Sequence, residues 1–321
     1  MISIDDIRKA AERLNGVAIK TPLLENPLLN DRVGGRVLMK LECLQATGSF
    51  KMRGAYNRIS QLTADERTRG VLAWSSGNHA QGVARAAQLV GAPATILMPE
   101  DAPKSKVAGA KSFGAEVVFY DRYSQDREVI GRAIAEERGM VIVPPYDNEH
   151  IIAGQGTCGL EIAAQAKALG TDVDQLLVCA GGGGLTAGCA IAFASEMPKA
   201  KVYAVEPEGY DDITQSLATG ERVKVDASRK SIADALLPPT PGALTWPIMK
   251  AHVAGGLVVS EDEIRAAVRY AYDELNLKVE PGGVVTLAAV LAGKIETKDR
   301  VTAVTLSGGN VDADVFCTLI N

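Results

Sequence analysis

From residue 35 onward the chain alternates short apolar runs with helix-periodic segments, and this alternation restricts its fold more than any other feature. Runs rich in Val, Ile and Leu occur at Val37–Glu42, Val71–Trp74, Ala94–Met98, Glu116–Tyr120, Met140–Val143, Gln175–Cys179, Lys201–Val205 and Val301–Leu306. Helical patterns such as Gln81–Val90 and Ile162–Leu169 lie between them. Strands that are apolar on both sides need cover on both sides, so the pattern predicts mainly parallel sheets sandwiched by helices. Right-handed crossovers then give doubly wound α/β layers. At 321 residues the chain exceeds what one core usually holds, so two such units or one large one are expected. Ser3-Ile4-Asp5-Asp6 reads as a capped helix start. Pro144-Pro145-Tyr146 marks a seam where a strand ends in a rigid turn. Asp211–Pro247, with Pro238, Pro239 and Pro241, reads as an irregular excursion.

Composition narrows the class. Apolar residues make up 47% and charged residues 23%, which is ordinary for a globular chain and argues against disorder. A net charge of −5 argues against a nucleic-acid partner. The five cysteines (Cys43, Cys158, Cys179, Cys189 and Cys317) have no framework spacing, and most lie among apolar or small residues. They read as free thiols in a reducing compartment. Three histidines argue against a His-rich metal site. No signal-type run opens the chain and no apolar run reaches membrane-helix length, so the expectation is a soluble cytoplasmic enzyme with no membrane partner.

Four segments carry chemistry. Lys51, in Thr47-Gly48-Ser49-Phe50-Lys51-Met52-Arg53-Gly54-Ala55, is framed by small residues just after a strand. A lysine amine can form a Schiff base with an aldehyde, and a desolvated one acts as a base near neutral pH. A surface lysine opening an amphipathic helix would look the same in isolation. Gly181, Gly182, Gly183 and Gly184 follow a strand and lead into a helix. Their unobstructed N–H groups and the helix N-terminus form an arrangement that cradles a phosphate, whereas a simple tight turn needs only one or two glycines. Gly182-x-Gly184-x-x-Ala187 also satisfies the dinucleotide fingerprint, and Glu206 closes the next strand where a ribose-binding acid is expected. An NAD-dependent enzyme is therefore a second reading, but it leaves Lys51 without a role. Ser75-Ser76-Gly77-Asn78-His79 opens another helix with hydroxyl and N–H donors that suit a carboxylate, or serve as an ordinary N-cap. Glu206-Pro207-Glu208-Gly209-Tyr210-Asp211-Asp212 is an oxygen-rich cluster that suits a hard cation, or a solvated acidic loop.

In their order along the chain, Ser-Phe-Lys-x-Arg-Gly-Ala at 49–55, Ser-Ser-Gly-Asn-His at 75–79, Ala-Gly-Gln-Gly-Thr at 153–157, the tetraglycine and Ser-Gly-Gly-Asn at 307–310 carry a family resemblance. The chain resembles the fold-type II pyridoxal-phosphate enzymes, in particular the serine/threonine dehydratase and serine racemase group, over about residues 4–315. The resemblance implies two doubly wound α/β domains: a large cofactor-binding one formed by 1–47 and 148–321, and a small mobile one over 48–147. It implies that Lys51 holds the cofactor aldehyde, with Phe50 beside the ring. Asn78 would bond the phenolic oxygen, Gly181 to Gly184 the phosphate, and Ser307 would face the pyridine nitrogen, with Glu280 nearby. Ser75, Ser76, Gly77, Asn78 and His79 would hold the substrate carboxylate.

A hydroxyl at the pyridine nitrogen weakens the electron sink and favours rapid departure of a β-leaving group. The implied activity is dehydration of small β-hydroxy amino acids such as L-serine and L-threonine to 2-oxo acids and ammonia, with Lys51 removing the α-proton. Ser76 matches the racemase and 3-hydroxyaspartate dehydratase branch, where a second hydroxyl serves the opposite face; those activities are the alternative. The same branch has a divalent-cation site of two acidic side chains and a main-chain carbonyl, which here selects Glu206, the Tyr210 carbonyl and Asp212 for Mg²⁺, Mn²⁺ or Ca²⁺. A homodimer is expected by family. Departures from the family pattern are Trp74, Ala235, Gly282 and Gly283, and Arg53 and Lys104 are the candidate cations for a second substrate carboxylate.

Overall fold

The computed structural model describes residues 2–102, 104–121 and 123–321. Along the chain run α1 (Ile4–Leu14), β1 (Leu23–Glu25), α2 (Pro27–Val33), β2 (Arg36–Lys40), α3 (Lys51–Ile59) and α4 (Ala64–Arg69). Next come β3 (Val71–Trp74), α5 (Asn78–Val90), β4 (Ala94–Pro99), α6 (Lys104–Ser112), β5 (Glu116–Tyr120), α7 (Arg127–Arg138) and β6 (Val141–Ile142). Then follow α8 (Glu149–Ala168), β7 (Gln175–Cys179), α9 (Gly184–Glu196), β8 (Lys201–Pro207), α10 (Asp212–Thr219), α11 (Thr245–His252) and β9 (Gly255–Val259). The chain closes with α12 (Glu261–Asp273), α13 (Pro281–Leu291), β10 (Val301–Thr305) and α14 (Ala313–Ile320).

The strands form two sheets. One has the order β1-β2-β10-β7-β8-β9 and is parallel except for the antiparallel edge strand β1; the other, β5-β4-β3-β6, is parallel throughout. The fold class is the α/β, mainly parallel one read from the sequence. The two-residue period of a strand explains how each sheet binds helices on both faces. In the larger sheet, Met39, Leu177, Val205 and Val304 share a core with α12 and α13, while Leu38, Leu176, Val178 and Ala303 share one with α8 and α9. In the smaller sheet, Val71, Ala73, Ile96 and Met98 pack with α3 and α5. Leu72, Trp74 and Leu97 pack on the other face with Ile130 and Ile134 of α7. Trp74 is thus a core filler, and Gly131 is bare where a Cβ would strike its ring.

Three expectations need adjustment. The sequence pattern missed β1, a three-residue edge, and β9, which begins on two glycines. The excursion over 211–247 is only partly irregular, since α10 and the start of α11 lie inside it. Helix α8 is twenty residues long and absorbs the Ala-Gly-Gln-Gly-Thr motif. That motif is a packing device: a Cβ on Gly154 would lie 2.7 Å from the Gly54 Cα of α3, and one on Gly156 2.9 Å from the Gly188 carbonyl of α9. Ser3 caps α1 as expected. The motif-bearing turns at 75–79, 181–184 and 307–310 all leave the carboxyl ends of strands, where open α/β sheets bind ligands.

Candidate active site

Lys51 is the first residue of α3, and the loop before it is clamped to the turn after β10. The Phe50 N–H donates to the Ser307 carbonyl (3.1 Å), the Gly309 N–H donates to the Gly48 carbonyl (2.9 Å), and Ser49 bridges Gly308. Gly48 has φ +70°, which favours glycine there. The Lys51 amine donates to the Pro145 carbonyl at 2.8 Å and lies 5.1 Å from the Phe50 ring centroid. Part of the side chain remains accessible, but the amine itself is deep in the cleft. Desolvation pulls it down to about 8, opposed by the charge of Glu280.

Behind α3, Arg53 is fully enclosed. It forks onto Glu42 (2.7 and 2.8 Å) and Glu161 (2.7 and 2.8 Å), and Glu161 also takes Lys40 (2.6 Å). Arg53 therefore does not serve a substrate carboxylate, because its donors are consumed in the scaffold. Lys104 lines a cavity of about 560 Å³ at the cleft mouth, together with Lys106, Lys278 and Asn310.

The tetraglycine turn is built to receive an anion. Among the described residues none of the N–H groups of 181–186 has an acceptor, and α9 begins at Gly184 without a side-chain cap. The carbonyl side of the turn is held instead: Gly182 O accepts from Thr245 Oγ1 (2.8 Å) and from the Gly242 N–H (3.2 Å). Gly183 has φ +89°, and a Cβ on Gly182 would overlap the Tyr146 ring. The acid of the dinucleotide reading is already engaged. The Glu206 carboxylate is turned to the head of α10, where it accepts the N–H groups of Ile213 (2.9 Å) and Thr214 (2.8 Å).

Asn78 and Glu280 form the opposite wall. The Asn78 amide donates to the Glu280 carboxylate and accepts from Asn310 Nδ2 (2.8 Å), which also donates to the Thr47 carbonyl (2.8 Å). One Asn78 N–H is left to donate. Burial, with Asp234 assisting, lifts Glu280 to about 7; Asn78, Lys106 and Lys278 oppose. The Glu280 N–H donates to Gly308 O (3.0 Å) and the Ser307 N–H to Gly283 O (3.1 Å), which locks the two turns together. Gly282 faces Ala235, whose Cβ would be 3.1 Å from an added one, so these two departures from the family pattern are in contact.

At the head of α5, Ser75 Oγ accepts the Gly77 N–H (3.1 Å), and the N–H groups of Asn78 and His79 have no acceptor among the described residues. A Cβ on Gly77 would meet nothing within 4 Å, so this turn opens onto free space. Ser76 is half-buried and its hydroxyl has no partner among the described residues. The His79 ring is engaged elsewhere. Its Nε2 bonds the Val143 carbonyl (2.8 Å), and burial pushes it down to about 3, so the neutral ring donates there and only its main-chain N–H is left for a substrate carboxylate.

Glu206 and Asp212 lie together at the end of β8 and the head of α10. Burial lifts both, Glu206 to about 8 with the charge of Asp212 adding to it, and Asp212 to about 7. Both Asp212 oxygens are buried without a hydrogen-bond partner, and no bond to the Tyr210 carbonyl occurs among the described residues. The Asp212 oxygens are unused, whereas both Glu206 oxygens already accept hydrogen bonds from Ile213 and Thr214; two such buried carboxylates side by side suit a cation. Among the described residues no three His, Cys, Asp or Glu side chains converge on a metal, so this donor set would rest on the carbonyl as well.

Sequence reading missed Glu42, Glu161 and Lys40 as the partners that fix α3, and Tyr146 and Asp147 as parts of the cleft. Only the Pro144-Pro145 seam signalled the latter. The free N–H groups of 181–186, a desolvated Lys51 and the spare Asn78 donor together fit the phosphate, aldehyde and phenolic oxygen of pyridoxal phosphate. The comparisons agree. The family described as "Pyridoxal-phosphate dependent enzyme" matches residues 14–308. L-threo-3-hydroxyaspartate ammonia-lyase of Pseudomonas sp is 42% identical over 99% of this chain and 98% of that protein. Serine racemase of Schizosaccharomyces pombe is 41% identical over 99% and 97%. The crystal structure of T.th. threonine deaminase superposes with a TM-score of 0.91 at 43% identity, covering 97% of this chain and 99% of that one. The chain belongs to the pyridoxal-phosphate-dependent enzymes of fold type II, in their serine/threonine dehydratase and serine racemase group.

Proposed function

We propose that the protein is a lyase that eliminates the β-hydroxyl of small β-hydroxy amino acids, L-serine and L-threonine first, and yields 2-oxo acids and ammonia. The observation that carries this reading is the Lys51 amine, desolvated at the head of α3 and sharing its cleft with the open N–H cradle of 181–186. Pyridoxal phosphate, when bound, supplies the electron sink that makes the substrate α-proton acidic. The N–H groups of Gly181 to Gly184 and the α9 dipole would hold its phosphate, Asn78 its phenolic oxygen, Ser307 its ring nitrogen, and Phe50 and Glu280 its flanks. The free N–H groups of Asn78 and His79 with Ser75, Ser76 and Gly77 would fix the substrate carboxylate. With Lys51 brought to about 8, a useful fraction of the amine is neutral near pH 7 and can take the α-proton.

The region 48–147, which contains the smaller sheet, would close over the substrate and exclude water. Mg²⁺, Mn²⁺ or Ca²⁺ would neutralise Glu206 and Asp212 with the Tyr210 carbonyl as third ligand. We place the enzyme in the cytoplasm as a homodimer; four buried free thiols support a reducing setting, and among the described residues no helix is long and apolar enough to cross a membrane.

A second reading, racemisation or 3-hydroxyaspartate dehydration, is favoured by the unpartnered Ser76 hydroxyl, which could exchange a proton on the face opposite Lys51. The test is an absorption spectrum of the purified protein before and after L-serine, L-threonine or 3-hydroxyaspartate, with and without Mg²⁺. A visible band that is absent in Lys51→Ala, with 2-oxo acid appearing, is expected. A protein that stays colourless and inactive with added pyridoxal phosphate would sink the reading.

A further inference from the structure

The segment Val143–Asn148 crosses from the smaller sheet to the elements of the larger one, and Val143, Pro145, Tyr146 and Asp147 along it each hold a different part of the site. At its start the Val143 N–H donates to Leu72 O (2.9 Å), and the Val143 carbonyl takes the His79 ring. Two prolines stiffen the next step by fixing φ. The Pro145 carbonyl accepts the Lys51 amine (2.8 Å), and the Tyr146 ring covers Gly182. At the far end Asn148 Oδ1 caps α8 by accepting the N–H groups of His150 (3.0 Å) and Ile151 (3.2 Å).

Asp147 is the anchor of this strap. Its carboxylate accepts the N–H groups of Ala243 (2.9 Å), Leu244 (2.8 Å) and Thr245 (3.3 Å) at the entrance to α11. Thr245 in turn bonds Gly182 O, and a Cβ on Gly242 would strike the Asp147 carboxylate. One side chain therefore fixes the strap, the tetraglycine turn and α11 relative to one another.

We propose that Asp147 is a positioning residue for Lys51: by anchoring the strap to α11 it holds the Pro145 carbonyl where it receives the Lys51 ammonium whenever that amine is not bonded to the cofactor. This rests on the reading of Lys51 as the cofactor lysine. The physical effect is on proton affinity. An aligned carbonyl stabilises the charged amine and offsets part of the desolvation that opposes it. The titratable groups that face Lys51 are Glu280 from the head of α13, which favours the ammonium, and the neutral His79 ring from α5. On the strap itself Tyr146 lies against Gly182, and the Asp147 charge is turned to three N–H groups of another element.

The test uses the full-length protein freed of cofactor. The rate at which trinitrobenzenesulfonate modifies Lys51 is followed against pH, with the site read by peptide mass spectrometry. Asp147→Ala should lower the midpoint; a one-unit fall from about 8 raises the neutral fraction at pH 7 from about a tenth to about a half, a rate gain of about fivefold. Pro145→Gly changes no charge and should move the midpoint the same way, and both shifts should persist at high salt. A shift confined to Asp147→Ala that fades with salt would mark a direct charge effect and overturn the positioning role, as would unmoved midpoints in both variants. Failure of the cofactor reading is distinguishable, because Lys51→Ala would then keep the visible band whatever the midpoints do.

Discussion

The two sides of α3 treat charge in opposite ways. On the inner side Arg53 and Lys40 meet Glu42 and Glu161, two cations against two carboxylates, with the remaining donors given to Thr157, Gln165 and the Thr21 carbonyl. Burial acts to lower Arg53, but Glu42 and Glu161 outweigh it and hold the guanidinium well above its ordinary range. On the cleft side, two residues earlier, the Lys51 amine has one carbonyl and a distant carboxylate, and burial wins. Matched charge makes a scaffold, whereas a buried charge left short of partners titrates near neutral pH and is available for chemistry.

Removing each cation in turn tests this contrast most directly. Arg53→Met strands the buried Glu42 carboxylate, while Glu161 keeps Lys40, and should cost about 3–5 kcal/mol in urea unfolding, with part of the loss recovered by adding Glu42→Gln. Lys51→Met, by contrast, should leave stability unchanged or raised while abolishing cofactor retention and turnover. Equal destabilisation by the two variants would show that the sides of α3 do not differ as described.

Ser76 sharpens the cleft side. If its free hydroxyl serves the second face, Ser76→Ala should cut proton exchange on D-serine about a hundredfold, at the low end for general acid–base groups, and spare elimination from L-serine. Loss of both reactions in parallel would remove the two-face idea.

The smallest expected effect concerns Glu206 and Asp212, two neighbouring buried carboxyls of which Asp212 has no hydrogen-bond partner. Their carboxyls are held at about 8 and 7, above the ordinary range. Without a cation the native protein therefore binds more protons than the unfolded chain between about pH 4 and 8, and stability falls as pH rises through that window. A bound divalent cation competes with those protons, so after chelation Mg²⁺ or Mn²⁺ should raise Tm by a few degrees at about pH 8, worth about 1–2 kcal/mol, and much less at about pH 5.5. A shift of the same size at both pH values would place the cation elsewhere.

The layer plan and the order of the site segments are legible in the chain alone. Apolar runs of strand length and glycine-rich turns are local signals, since each follows from the steric and hydrophobic demands of a few neighbouring residues. Every predicted run begins within a residue of the strand found, although Met140–Val143 overshoots β6, which is only Val141–Ile142. β1 and β9 escaped because a three-residue edge and a strand opening on two glycines carry little periodicity. The resemblance that named Lys51 as the cofactor lysine was also legible, because it lives in linear motifs.

Which polar side chains are spent and which are free depends on contacts that form only in the folded chain. Arg53 looked like a candidate for substrate until Glu161, more than a hundred residues away, closed on it. His79 turned its ring to Val143, Glu206 gave its oxygens to the head of α10, and Asp147 joined the cleft through α11. Proton affinity depends on what surrounds a group in three dimensions, and long-range partners leave no local trace in the chain.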